Sequence, residues 1–276
     1  NEFTGLLEID NESYTFKNIH FVSNIGDGKV PYGKFSTRLD ALNCNLNVID
    51  MSQLTNSFNF LPKIEGDPFN VKIDYSTIKD STITNFALHA DKLKWNTVLI
   101  NGCDIESEKI NDNLKYKAAF YQPLFSGIKL DSLFISGEGK NNNYFNIVKG
   151  FNNSTGEKIE SQFTYVNDTT LNIEYIKGRL KDVPFNAEKL NFNKADKMVV
   201  SSPLTIDFGR GHIYAQVKYL NEDNYILNLR ASQVDVVDLK KIFQFQNRIN
   251  GEITGELYAS FENGMPTILT NLNFRD

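Results

Sequence analysis

Residues 234–275 hold the pattern that most constrains this chain. Val236-Val237-Asp238-Leu239 opens a short helical stretch. Ile249, Gly251, Ile253, Gly255, Leu257, Ala259 and Phe261 then keep one phase of a two-residue alternation. Asn263-Gly264-Met265-Pro266 supplies a turn, and a second alternating run carries Ile268 and Leu272. A looser copy occupies 46–75, with Val48-Ile49-Asp50-Met51 in the place of Val236 to Leu239. One such unit cannot bury its apolar face alone, so a chain that repeats it must lay the units side by side.

The same alternation runs through the rest of the chain. Leu42, Cys44, Leu46 and Val48 face one way and Asn43, Asn45 and Asn47 the other. Phe69, Val71, Ile73 and Tyr75 repeat the theme, as do Ile159 to Tyr165, Leu171 to Tyr175, Leu204 to Phe208 and Ile213 to Tyr219. Each series has one apolar and one wet face, as half-buried strands require. Gly26-Asp27-Gly28, Glu65-Gly66-Asp67-Pro68, Gly137-Glu138-Gly139, Gly150, Asn153 to Gly156 and Gly209 to Gly211 read as turns between them. Helical signal is sparse: Asp238 reads as a cap before Leu239, Ile242 and Phe243, Asp50 as its weaker counterpart, and 106–117 as a loop or short helix. The expected fold is all-β: an elongated, curved or folded-over sheet, taco- or solenoid-like, with an apolar inner face and a few short helices. The whole of 1–276 reads as one elongated β-rich region cut from a longer protein, with 138–157, rich in Asn and Gly, the best place for an internal break.

Composition narrows the functions. The 276 residues carry a net charge of −5, with Lys and Arg scattered. A nucleic-acid footprint needs a basic stripe to displace counterions, so no nucleic-acid partner is expected. No apolar run approaches the ~18–20 residues of a membrane-spanning helix. The two cysteines, Cys44 and Cys103, are too few for a disulfide framework, and Cys44 reads as a small buried hydrophobe. The 34 asparagines make N-x-S/T matches common by chance, so they carry no glycosylation argument.

No catalytic motif emerges, and no cofactor or metal is expected. His20, His89 and His212 stand far apart without metal-ligand spacing. Gly209-Arg210-Gly211-His212 lacks the Lys-Ser/Thr of a phosphate loop and reads as a hairpin turn. Asp104, Glu106 and Glu108 alternate in a polar stretch, which reads as a solvated face unless folding brings acids together across a cleft. Trp95 and the other aromatics read as core before they read as sugar platforms. That leaves the apolar face itself. It is either a filled core between sheets or an open groove for lipid tails, and periodicity alone favours the filled core.

The order strand, short Asp-Leu helix, I-x-G-x-I-x-G-x-L, G-x-P turn and strand resembles the AsmA-like superfamily and, within it, the TamB family. Residues 234–275 carry the best match and 27–75 a poorer one, with Pro68 and Phe69 in place of a longer Gly-spaced run. The resemblance implies a long folded-over sheet in the periplasm of a diderm bacterium, anchored to the inner membrane through a segment outside this sequence. It implies a non-enzymatic groove that carries phospholipid acyl chains between the membranes, and an outer-membrane β-barrel protein as a partner in assembly. The groove residues expected here are Leu46, Val48, Phe69, Val71, Ile73, Ile249, Ile253, Leu257, Ile268 and Leu272. The alternative is a β-solenoid or sandwich adhesin module with a closed core and recognition by loops. A carbohydrate-active β-helix enzyme is a third reading and would need converging acids.

Overall fold

The computed structural model describes residues 2–10, 12–23, 26–49, 65–66, 69–78, 81–95, 98–125, 128–166, 169–195, 198–221, 224–243, 250–262 and 265–275. The fold is all-β and antiparallel, with one short helix among these residues. The chain divides into two compact units, Asn1–Asn141 and Asn142–Asp276.

The main sheet of the first unit is a meander. Its strands, in spatial order, are β1 (Glu2–Asp10), β2 (Ser13–Val22), β3 (Gly26–Phe35), β4 (Leu39–Val48), β6 (Phe69–Ile78), β7 (Ser81–Ala90), β10 (Cys103–Ile110), β11 (Asn113–Tyr121) and β14 (Ser132–Lys140). The missing numbers belong to a second, five-stranded sheet: β5 (Glu65–Gly66), β8 (Leu93–Trp95), β9 (Val98–Ile100), β12 (Leu124–Phe125) and β13 (Ile128–Lys129). Its strands are excursions between β4 and β6, between β7 and β10, and between β11 and β14, so all of them leave the main sheet from the same end. There Leu93 and Ile100 pack on Val48, Phe69, Ala90 and Cys103 and form a sealed core.

The second unit repeats the plan with other parts. Its strands are β15 (Asn143–Asn152), β16 (Glu157–Val166), β17 (Thr170–Leu180), β18 (Val183–Ala195), β19 (Met198–Ser201), β20 (Leu204–Phe208), β21 (Gly211–Asn221), β22 (Asn224–Asp235), β23 (Glu252–Glu262) and β24 (Met265–Arg275). They pair in chain order, except that β19 and β20 share one lane between β18 and β21. Helix α1 (Val236–Phe243) covers one end, with Leu239 and Ile242 against Val183, Phe208 and Val234. Its cap is Asp235 rather than Asp238: the Asp235 carboxylate accepts from the Val237 N–H at 2.7 Å. The helical stretch around Asp50 lies outside the described residues.

Several expected turns are strand instead: Gly150 lies within β15, Glu65–Gly66 form β5, and two glycine pairs belong to β3 and β14. Gly26 and Gly28 begin β3, where a Cβ on Gly26 would sit 2.2 Å from the Asn47 carbonyl oxygen and one on Gly28 2.2 Å from the Phe21 ring. These glycines permit close approach rather than chain reversal. Gly137 and Gly139 lie in β14 opposite Tyr116 and Leu114. Asn141 and Asn142, which follow β14, both adopt positive φ. Lys181 and Asp182 do the same between β17 and β18. The polar stretch 106–117, expected as a loop or short helix, is the β10–β11 hairpin, in which Glu106 faces Lys117 and Glu108 faces Lys115.

Candidate functional site: an apolar sheet face

Register places the alternating apolar residues in rows that cross each sheet. In the first unit the row at the covered end runs Val48, Phe69, Ala90, Cys103, Phe120. One step in, the row is Gly28, Leu46, Val71, Leu88, Ile105, Ala118, Ile135. The next is Cys44, Ile73, Phe86, Ser107, Tyr116, Gly137. Burial is greatest at the covered end and lower further in, except at Gly28 and Cys44, which are buried as well. Val48, Phe69, Ala90 and Cys103 are buried, whereas Leu46, Val71, Leu88, Ile105, Ile73 and Phe86 are half-buried.

The second unit carries equivalent rows. One, made of two register segments joined where Leu190 and Leu204 share a core cluster, is Phe163, Ile173, Leu190 and then Leu204, Ala215, Leu229, Leu257, Thr270. Its middle is buried at Leu190 and Leu204, and its β22–β23 part is half-buried at Leu229 and Leu257. Leu227 faces Ala259, which faces Ile268, and Tyr225 stacks on Phe261 with ring centroids 5.5 Å apart.

The expected groove residues therefore separate. Leu46, Val71 and Ile73 stand in the half-buried rows of the first unit, with Leu46 facing Val71. Val48 and Phe69 belong to the sealed end core. Ile253 and Leu257 are half-buried on β23, Leu272 is half-buried opposite Gly255, and Ile268 is 65% exposed. Ile249 lies outside the described residues. The sequence reading missed Leu88, Phe86, Ile105, Leu227 and Leu229. All five sit on alternating runs, but without the Gly-spaced pattern that drew attention elsewhere.

Among the described residues fifteen hydrophobics are buried, while twenty-three large hydrophobics stay exposed. Filled cores at the covered ends do not seal the sheets elsewhere. Buried polar groups in the second unit are satisfied locally: Ser161 donates to the Tyr175 carbonyl at 3.0 Å, and Ser201 Oγ accepts from the Val217 N–H at 2.8 Å.

The opposite faces are polar ladders. Asn43 donates to Asp74, Lys72 pairs with Asp74 at 3.1 Å, and Lys117 pairs with Glu106 at 2.7 Å. A hollow of about 550 Å³ lies on this side, rimmed by Lys72, Asp74, Glu106 and Lys117 around Ala87. Its charges largely neutralise one another. Asp104, Glu106 and Glu108 follow one another along one strand, with Asp104 and Glu106 paired to His89 and Lys117, and do not converge across a cleft. No cluster of three or more metal-ligating side chains occurs among the described residues. The Trp95 side chain lies outside them.

Titration is perturbed mainly around Asp104. The His89 imidazole is raised above its ordinary 6.5, first by the hydrogen bond to Asp104 at 2.6 Å, then with help from Asp91. Tyr121 is raised by a hydrogen bond to the same carboxylate. Burial pushes the Cys103 thiol up to about 11, so it is inert at neutral pH, and the Cys44 thiol moves the same way. Both cysteines are free and buried.

A raised histidine stabilises the fold fully below its unfolded value and loses that contribution as pH rises through its folded value. The stability difference between wild type and His89→Asn should therefore shrink as pH climbs above 6.5. The effect is small, because the His89 side chain is 55% exposed. Denaturant titrations at stepped pH check it, and a gap that widened with pH would refute the assignment.

Comparison with family models, with curated proteins and with solved structures returns no match. No helix among the described residues is long and apolar enough to cross a membrane.

Proposed function

We propose that this chain is a non-enzymatic envelope protein whose apolar sheet face accommodates phospholipid acyl chains and passes them along. The observation that carries this reading is that apolar residues of the central rows, Leu46–Val71–Leu88–Ile105 in one unit and Leu229–Leu257 in the other, are only partly buried beside the filled clusters of each unit. An adhesin-like module with a closed core would be filled throughout. Exposing a sixteen-carbon tail to water costs on the order of 10 kcal/mol at ~0.8 kcal/mol per CH₂. A face already paved with Leu, Ile and Val removes much of that barrier without any reacting group. The resemblance of 234–275 to AsmA-like proteins points the same way. It suggests a periplasmic setting between two membranes, and an outer-membrane β-barrel protein as a partner.

The test is binding of a fluorescent acyl-chain probe by the 276-residue chain. Saturable binding that Leu257→Asp weakens supports the proposal. Absence of binding, or binding indifferent to that substitution, contradicts it.

A further inference from the structure

The second unit carries an arrangement that a purely structural sheet would avoid. Lys158 on β16 and Arg179 on β17 are direct cross-strand partners. Like charges in that position repel and destabilise a sheet. The two backbones run close together there: at the adjacent Gly178 a Cβ would lie 2.0 Å from the Lys158 carbonyl oxygen. Among the described residues neither cation has a carboxylate partner.

The one carboxylate that lines the same hollow is already engaged. Glu160 accepts from the Tyr175 hydroxyl at 3.2 Å and lies 3.8 Å from Lys177 Nζ, which sits 4.8 Å from the Tyr175 ring centroid. Lys158, Lys177 and Arg179 together line one hollow of about 380 Å³, with Glu160 as its single carboxylate. Three cations around one acid leave an excess of positive charge at a concave surface. The guanidinium adds a planar fork of donors that matches phosphate oxygens.

We infer that this hollow is a binding site for a phosphate group, with Arg179 and Lys158 as its principal ligands and Lys177 as a third cation shared with Glu160. The bound dianion or diester relieves the Lys158–Arg179 repulsion, so binding and stability are coupled. Gly156, Gly178 and Phe185 complete its lining, and the site stands independently of the lipid reading of the apolar face. Inorganic phosphate and a phospholipid headgroup present the same chemistry to it.

The experiment compares wild type with the Lys158→Gln/Arg179→Gln double variant in two arms. In the first, Tm is followed against inorganic phosphate, with sodium chloride at matched ionic strength as control. In the second, co-sedimentation with phosphatidylglycerol vesicles is compared with phosphatidylcholine vesicles. Without phosphate and at low salt the double variant should be at least as stable as wild type, because a like-charge pair has been removed. Phosphate should raise the Tm of wild type, and apparent affinity should drop about tenfold or more in the variant, the scale of a lost charge-assisted hydrogen bond. A variant-sensitive preference for phosphatidylglycerol assigns the group to a lipid headgroup; a response to inorganic phosphate alone assigns it to a soluble phosphate. The proposal is overturned if neither arm responds, if both proteins respond equally, or if the double variant is markedly destabilised without phosphate.

Discussion

Phe69→Ala should destabilise the first unit by about 3–5 kcal/mol, the range for emptying an aromatic from a filled core. Phe69 is 3% exposed and stands where the five-stranded sheet covers the main sheet. It faces Val48 on one side and Ala90 on the other, and Leu93 and Ile100 of the five-stranded sheet pack on the same cluster. Alanine there leaves a void that the neighbouring strands cannot close without breaking register. A domain holds only ~5–15 kcal/mol in total, so this one change brings the unit near its unfolding threshold. Guanidinium denaturation monitored by far-UV circular dichroism measures it. A loss below about 1 kcal/mol would mean that the end is not filled, and that the division into sealed ends and open centre is wrong.

Leu257→Asp should behave in the opposite way. Leu257 is half-buried between Leu229 and Thr270. Fully burying a leucine is worth ~1.5–3 kcal/mol, so losing half of that and accepting a poorer strand former costs about 1–2 kcal/mol. The fold should survive, and a charge beside water needs no partner. In a closed core the same carboxylate would be unpaired and dry, costing several kcal/mol more and unfolding the unit. Acyl-probe affinity should fall about tenfold, equivalent to losing contact with roughly two methylenes. Unfolding of the variant would support the closed-core module instead.

Much of the sheet was legible because period-2 alternation is a local signal. The runs through Leu42 to Val48, Phe69 to Tyr75, Ile213 to Tyr219 and Leu257 to Phe261 all fall on strands. Glycine was the main source of error. A Gly-x-Gly looks the same whether it turns the chain or lets a neighbouring strand approach, and only the distant partners, Asn47 and Phe21 for Gly26 and Gly28, decide between the two. The five-stranded sheet was invisible because its strands are two or three residues long, too short to show any period. It is also what turns Val48 and Phe69 from groove candidates into core. Burial along a strand depends on what covers each end, and alternation carries no information about that. The Lys158–Arg179 pair was illegible for a related reason: the two residues lie far apart in sequence, and register alone opposes them.

The central claim is that the partly buried apolar rows meet lipid rather than protein. The most direct measurement places a photo-activatable amino acid at Ile253, on the apolar face of β23, and at Glu256, on its polar face, and irradiates each protein with phospholipid vesicles. The account predicts phospholipid adducts by mass spectrometry from position 253 and few or none from 256. Crosslinks from 253 that reach only residues of the chain itself, with lipid absent, would contradict it.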